Sequence, residues 1–434
     1  MSESAANRAT TTPNEPTERT DVVPEAIREE RALIDQNFQN LANKFEQYVP
    51  GDPTRRPIVP VDTNRETWNE ALSRLRFKFL PPLRRQVDTL IQLLHPSELE
   101  NDINGSRLKL ILDIQTELDQ SLHEIFFIAA GIKRKPASSP TRADDQDLQQ
   151  FKEFTRQGLS SALELLNHSL HSIFDQSFRT IRELTKPPNV TTESHQDFQS
   201  SRRDVILHHA TSATSSMDRV VERITGREFI LIQDYWGSQL HCVHSEFLSD
   251  LPKIIYRAIH HLEPNDPNQG FAQCLKNEHA LPLAQAFIPL IKLSRVFFNK
   301  IVKDALNKTP SKPYTNMNSY QLETLGNSVG VIAHYFFKMM KSIADYGLEF
   351  RHHHENHNPA LIEGIIKKIL SCFDSNILLV ITYIIPLIPD SVSEPNHLQA
   401  YLVEWNKLLS IAAQRCILAA QFYQAASIAA DPHQ

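Results

Sequence analysis

Residues 351–358 read RHHHENHN, with four histidines inside six positions. Neutral imidazole is the commonest side-chain ligand for transition metals. His353 and His357 stand four apart, the separation at which two histidines share one helix face and can grip one ion. A closed site also needs a third and fourth ligand, and partners that orient the imidazoles. The neighbourhood supplies neither an HExxH nor an HxxEH arrangement, and Asn358 precedes Pro359, which turns the backbone away from helix. The cluster therefore reads as a polar junction between two helices that titrates near pH 6. A histidine-rich metal-binding bundle, with or without catalysis, is the alternative from a different class, and His353 and His357 would be its first ligands.

Two Glu-x-x-His spacings, Glu349 to His352 and Glu394 to His397, match the half-motif of two-metal bundle enzymes. The first falls at a helix end and the second spans Pro395, so neither projects from mid-helix into a core. The pairs His168/His171 and His241/His244 have chelating i, i+3 spacing, and His208/His209 and His260/His261 are adjacent. All read as partly buried structural histidines. GxxxxGK[ST] and GxGxxG are missing. No catalytic residue and no cofactor is expected.

Basic residues form the other candidate chemistry. RLRFKFLPPLRR (74–85) interleaves five cations with aromatics and leucines, and residues 292–312 carry six Lys/Arg against one acid. Arg84, Arg85, Lys300 and Lys303 are the expected contact residues for a protein partner. A peripheral lipid- or nucleic-acid-binding protein is a further alternative built on the same faces. The formal charge of −6 argues against a chain that is globally a nucleic-acid binder.

Elements must position these residues, and composition narrows which. Eleven glycines in 434 residues are too few for hairpin-rich β folds or phosphate-cradling loops, whereas long helices joined by proline-bearing loops need little glycine. Four dispersed cysteines form no CxxC pair and read as free thiols of a reducing compartment. The longest unbroken apolar run, 377–388, is twelve residues, short of the roughly 20 that a spanning helix needs. A soluble protein of the cytoplasm, the nucleus or both is expected.

Apolar residues then recur at threes and fours. Ile34, Phe38, Leu41, Phe45 and Tyr48 mark one helix face, and Trp68, Leu72, Leu75, Phe79, Leu83, Val87, Leu90 and Leu94 another, with Pro81 and Pro82 expected to kink or split that helix. Leu322 to Tyr346 and Leu398 to Ala419 carry the clearest later stripes. About nine long antiparallel amphipathic helices in up-and-down bundles follow, an all-α fold. The expected division is a tail over 1–22, helical segments over 23–132, 147–262 and 267–430, and a linker over 133–146, where KRKP precedes Ser139-Pro140.

The stretch PLAQAFIPLIKLSRVFFNKIVKDAL (282–306), with the helices after it, resembles cyclin-D1-binding protein-type helical domains, and the general layout is similar to a group of fungal helical proteins. The likeness spans about residues 60–430 and rests on pattern, without a diagnostic motif. It implies a vinculin-like five-helix bundle with a regulatory role exerted through protein binding, and it carries over no active-site residue. From the residues and the resemblance together, the expected function is that of a non-enzymatic adaptor or regulator.

Overall fold

The structure, a computed structural model, describes residues 25–47, 65–102, 104–133, 140–183, 192–226, 228–243, 247, 249, 251–260, 280–307, 314–348, 359–388 and 395–429. The fold is all-α, and no strand occurs among the described residues. The helices are α1 (Glu25–Gln47), α2 (Arg65–Arg74), α3 (Leu80–Leu93), α4 (Pro96–Glu100), α5 (Ser106–Lys133), α6 (Glu153–Glu183) and α7 (Thr192–Thr225). They continue with α8 (Glu228–Cys242), α9 (Leu251–Ile259), α10 (Ala280–Ile301), α11 (Ser319–Leu348), α12 (Pro359–Leu379) and α13 (Pro395–Ala429).

The chain forms two compact units, one of residues 1–58, 77–126 and 166–214, the other of 59–76, 127–165 and 215–434. Three of the boundaries fall inside α5, α6 and α7, and another lies between Arg76 and Phe77. In the first unit, α1 runs parallel to α5: Ile34 accepts from Gln115 at 3.0 Å, Lys44 pairs with Asp119, and Phe45 packs on Phe126 at 5.0 Å between ring centres. It runs antiparallel to α6, since Phe38 meets Phe174 at 6.3 Å and Phe45 meets His171 at 6.0 Å. Helix α3 lies antiparallel to α5 through Gln86–Glu117 and Arg107–Gln92, and α7 touches α3 through Arg84–Thr214 and α6 through Ser169–Ser212.

The second unit repeats this plan with α8, α10, α11, α12 and α13. Trp405 on α13 donates to the Leu293 carbonyl on α10 at 3.0 Å and the Cys416 thiol donates to the Ala286 carbonyl at 2.9 Å, so these helices are antiparallel. Gln321 bonds Tyr383, closing an antiparallel α11–α12 pair. Helices α8 and α11 are parallel: Trp236 donates to the Leu325 carbonyl at 2.9 Å, and Phe247, beyond the end of α8, meets Phe336. Five helices that alternate in direction around a ring must leave one neighbouring pair parallel, because the number is odd. That pair is α1/α5 in the first unit and α8/α11 in the second. The second core centres on Trp236, Phe297, Phe298, Phe373 and Trp405, with both buried indole N–H groups satisfied by main-chain carbonyls.

Near Pro81 and Pro82 the regular α-helix divides into α2 and α3 without leaving helical structure. A π turn at Leu75–Phe79 precedes them, and they occupy the first turn of α3. Their missing N–H groups and fixed φ suit the first turn of a helix, where proline is tolerated. All eight apolar residues from Trp68 to Leu94 stay buried through this join. Further π turns at 302–306 and 380–384 extend α10 and α12. Counting unbroken apolar runs missed the result: Ala280–Leu306 and Leu361–Leu387 are each 27 residues and apolar enough to cross a membrane. In this unit they line the core through Phe287, Leu290, Phe297, Phe298, Ile366, Ile369 and Phe373.

A solvent-facing apolar stripe on the last helix

Helix α13 has two apolar sides. Leu398, Leu402, Trp405, Leu409, Ala412 and Cys416 face the core, as their spacing requires. At about 100° per residue, Leu408, Ile411, Leu418 and Phe422 fall within one arc, turned roughly 120° about the helix axis from the core stripe. They are 54%, 52%, 44% and 75% exposed. A helix that is apolar all round is normally buried all round, and a contiguous exposed apolar strip marks a contact surface. Glu404 and Arg415, both exposed, lie on this arc and bracket Leu408 and Ile411. Glu404 also pairs with Lys407 at 2.6 Å, an exposed ion pair that contributes little. Alongside, between α12 and α13, runs a groove of about 250 Å³ walled by Ile377 and Ile381 on one side and Val403, Asn406, Lys407 and Ser410 on the other.

The densest polar grouping described in this unit is closed to solvent. The side chains of Lys152 and Glu228 are both 0% exposed and paired at 2.7 Å. Lys152 also donates to the Thr315 carbonyl at 2.6 Å, while the Thr315 amide and hydroxyl donate to Glu228 at 2.9 and 2.8 Å. Burial pushes the Glu228 carboxyl above its ordinary value, against the pull of the Lys152 ammonium and the Thr315 donors. Nearby, the buried Asp145 carboxylate receives the first amides of two helices, Glu153 of α6 at 3.0 Å and Ser319 of α11 at 2.7 Å. Both helix dipoles favour an anion there. The Ser319 hydroxyl donates to Asp145 at 2.5 Å and accepts the Phe154 amide at 2.8 Å. Between them the chain passes through Gln149 at φ 53°, a left-handed conformation. Residues 140–145, part of the segment expected to be a linker, thus form a hydrogen-bonded turn clasped to the start of α11. With every charge paired and no opening to solvent at Lys152 or Glu228, this network holds elements together and offers no reacting atom to a substrate.

The expected site residues are dispersed. His353 and His357, with the whole of 351–358, lie outside the described residues. So do Glu349, His352 and Glu394, while His397 is exposed at the start of α13. Arg84 is half-buried and donates to the Thr214 carbonyl at 3.3 Å. Lys300 pairs with Asp304 at 2.5 Å and lies 5.2 Å from the centre of the Tyr401 ring. Arg85 and Lys303 are exposed. Two of the four expected contact cations are therefore engaged inside their own unit. His168 on α6 and His208 and His209 on α7 come near one another; burial pushes His209 below its ordinary value, and its two neighbours push the same way. Among the described residues no three His, Cys, Asp or Glu side chains converge as a metal site would require. Burial raises the Cys372 thiol to about 11 and the Cys416 thiol to about 12, so both are poor nucleophiles.

Reading α13 for a single stripe misses the surface. The signal was present in the sequence as a second run of large apolar residues, Leu408, Ile411, Leu418 and Phe422, out of phase with the first.

Two family models match the chain, one described as a domain of unknown function (DUF8723) over residues 68–225 and one as a domain of unknown function (DUF8721) over 227–418. The second model covers α8 through most of α13, including Leu408, Ile411 and Arg415. No curated protein and no solved structure matches the chain.

Proposed function

We propose that the chain is a non-catalytic helical-bundle adaptor that works by binding protein through the solvent face of α13. The observation that carries this reading is the exposed strip of Leu408, Ile411, Leu418 and Phe422, set on a helix whose other side is fully committed to its core. The rigid bundle beneath it fits the same role, because a partner helix docks best on a face whose shape does not depend on the partner. The resemblance to cyclin-D1-binding protein-type domains belongs to this proposal, and the five-helix ring is in keeping with it. Work in the cytoplasm or nucleus goes with it.

Ile411→Glu combined with Phe422→Glu tests the reading. Both positions are on the outer side of α13, so helix content by circular dichroism stays unchanged. Partners recovered with the tagged full-length chain from its native cells are expected to fall at least tenfold, as loss of a central apolar anchor does at most interfaces. Full recovery of every partner with the double variant would overturn the reading. Arg85→Glu with Lys303→Glu serves as the control on the basic faces; Arg84 and Lys300 are unsuitable because their changes disturb internal contacts.

A further inference from the structure

The outer face of α13 continues beyond its four apolar residues to the exposed His397, with the half-buried Tyr401 at its edge beside Lys300. His397, Tyr401, Glu404, Leu408, Ile411, Arg415, Leu418 and Phe422 follow one another at spacings of 4, 3, 4, 3, 4, 3 and 4. This series reads the same in either direction about the midpoint between Leu408 and Ile411. A helix laid antiparallel on its own copy about that midpoint sets Leu408 against Ile411 of the second copy, and Glu404 against its Arg415. Leu418 then falls on the second copy's Tyr401, and Phe422 on its His397. Every large apolar side chain on the face meets an apolar or aromatic one, and each acid meets a base. A parallel pairing brings Glu404 against Glu404 and Arg415 against Arg415, which repel.

We propose that a second copy of this chain occupies the α13 face, the two helices crossing antiparallel about a twofold axis between Leu408 and Ile411. The proposal rests on the reading of that face as a protein-contact surface. An unrelated partner has no need of a stripe that is complementary to itself, whereas a twofold interface requires one, since residue i meets j and j meets i. The contact is small. From His397 to Phe422 the helix is about 39 Å long and about 10 Å across, so each copy covers on the order of 400 Å². Standard interfaces bury about 800 Å² per partner. The pairing is accordingly weak and exchanging, in the micromolar range or above.

Sedimentation velocity of the full chain from about 1 to about 300 µM covers that range. The wild type is expected to pass from monomer to dimer. Glu404→Arg alone and Arg415→Glu alone each place like charges in contact and weaken the dimer about tenfold; the two together exchange the charges and restore it. Ile411→Glu abolishes it. Recovery in the double exchange cannot come from misfolding, and circular dichroism checks the singles. A wild type that stays monomeric throughout overturns the proposal, as does a dimer indifferent to the single reversals or one that the double exchange fails to restore. Each of those results leaves the binding of other proteins to α13 to be judged by Ile411→Glu with Phe422→Glu, so the two readings fail separately.

Discussion

Replacing Lys152 by Met removes a buried cation and leaves a side chain of similar length in its place. Glu228 then keeps its two donors from Thr315 but loses the ammonium at 2.7 Å that opposes its desolvation. A buried carboxylate without a counter-ion takes up a proton instead of staying charged. In the unfolded chain the same group has its ordinary value of 4.5. The folded variant therefore binds a proton that the unfolded chain releases, and its stability falls as pH rises above 4.5. At about 1.36 kcal/mol per pH unit, the ceiling on this cost is about 3.4 kcal/mol at pH 7 and about 0.7 kcal/mol at pH 5. Loss of the donor to the Thr315 carbonyl adds about 1 kcal/mol at every pH. The total at pH 7 agrees with the 3–5 kcal/mol typical of breaking a buried ion pair at one partner. The three tryptophans, Trp68, Trp236 and Trp405, all belong to the second unit, so urea unfolding followed by their fluorescence reports on the unit that holds the pair. The gap between variant and wild type is expected to narrow from pH 7 to pH 5 by a part of that difference, because burial already raises Glu228 in the wild type. Adding Glu228→Gln removes the titrating group and with it the pH dependence. An equal gap at both pH values refutes the reasoning, because it makes the loss one of packing alone.

Other expectations are simpler. Asp145→Asn keeps the shape but removes the charge that two helix starts share, and is expected to cost about 1–3 kcal/mol in the same fluorescence assay. Gly105 holds φ 69° at the entry to α5, and a Cβ there would lie 2.6 Å from Glu30 Oε2. Gly105→Ala is expected to destabilise the first unit by about 1–2 kcal/mol, read from urea unfolding by circular dichroism. His209 is held below its ordinary value of 6.5 in the fold. As pH falls through 6.5 the unfolded chain takes the proton first, so the first unit loses stability. A slope between pH 7.5 and 5.5 is expected in wild type and is diminished in His209→Gln.

The helices were legible because periodicity is local. Ile34, Phe38, Leu41 and Phe45 are all buried, as their 4-3-4 spacing predicts, and Leu322, Leu325, Val329, Ile332 and Met339 are likewise. The stripe from Trp68 to Leu94 was right in its phase, and the break in regular helix near its prolines takes the form of a π turn, which leaves no mark of its own in the sequence. The clasp was illegible for another reason. Lys152, Glu228 and Thr315 are separated by 76 and 87 positions, and nothing local about a lysine beside a phenylalanine announces a buried partner that far along the chain. The outer face of α13 lay between these cases: its residues were visible, but only placement of the core side shows which apolar series is left over.

The distance along the chain that hides the clasp also fixes when it can close. Asp145 meets its donor at the start of α11 only after another 174 residues have been made, and Lys152 meets the Thr315 carbonyl, just before that helix, after another 163. At synthesis rates of about 5–20 residues per second, the gap for Lys152 lasts on the order of 8 to 33 seconds. Glu228 follows after 76 residues, but until Thr315 is made the pair lacks its remaining acceptor and donors and Gln149 is under no obligation to hold its left-handed turn. The start of α6 is thus translated early but secured late, and in a nascent chain it stays open to a chaperone or a protease until residue 319 has emerged.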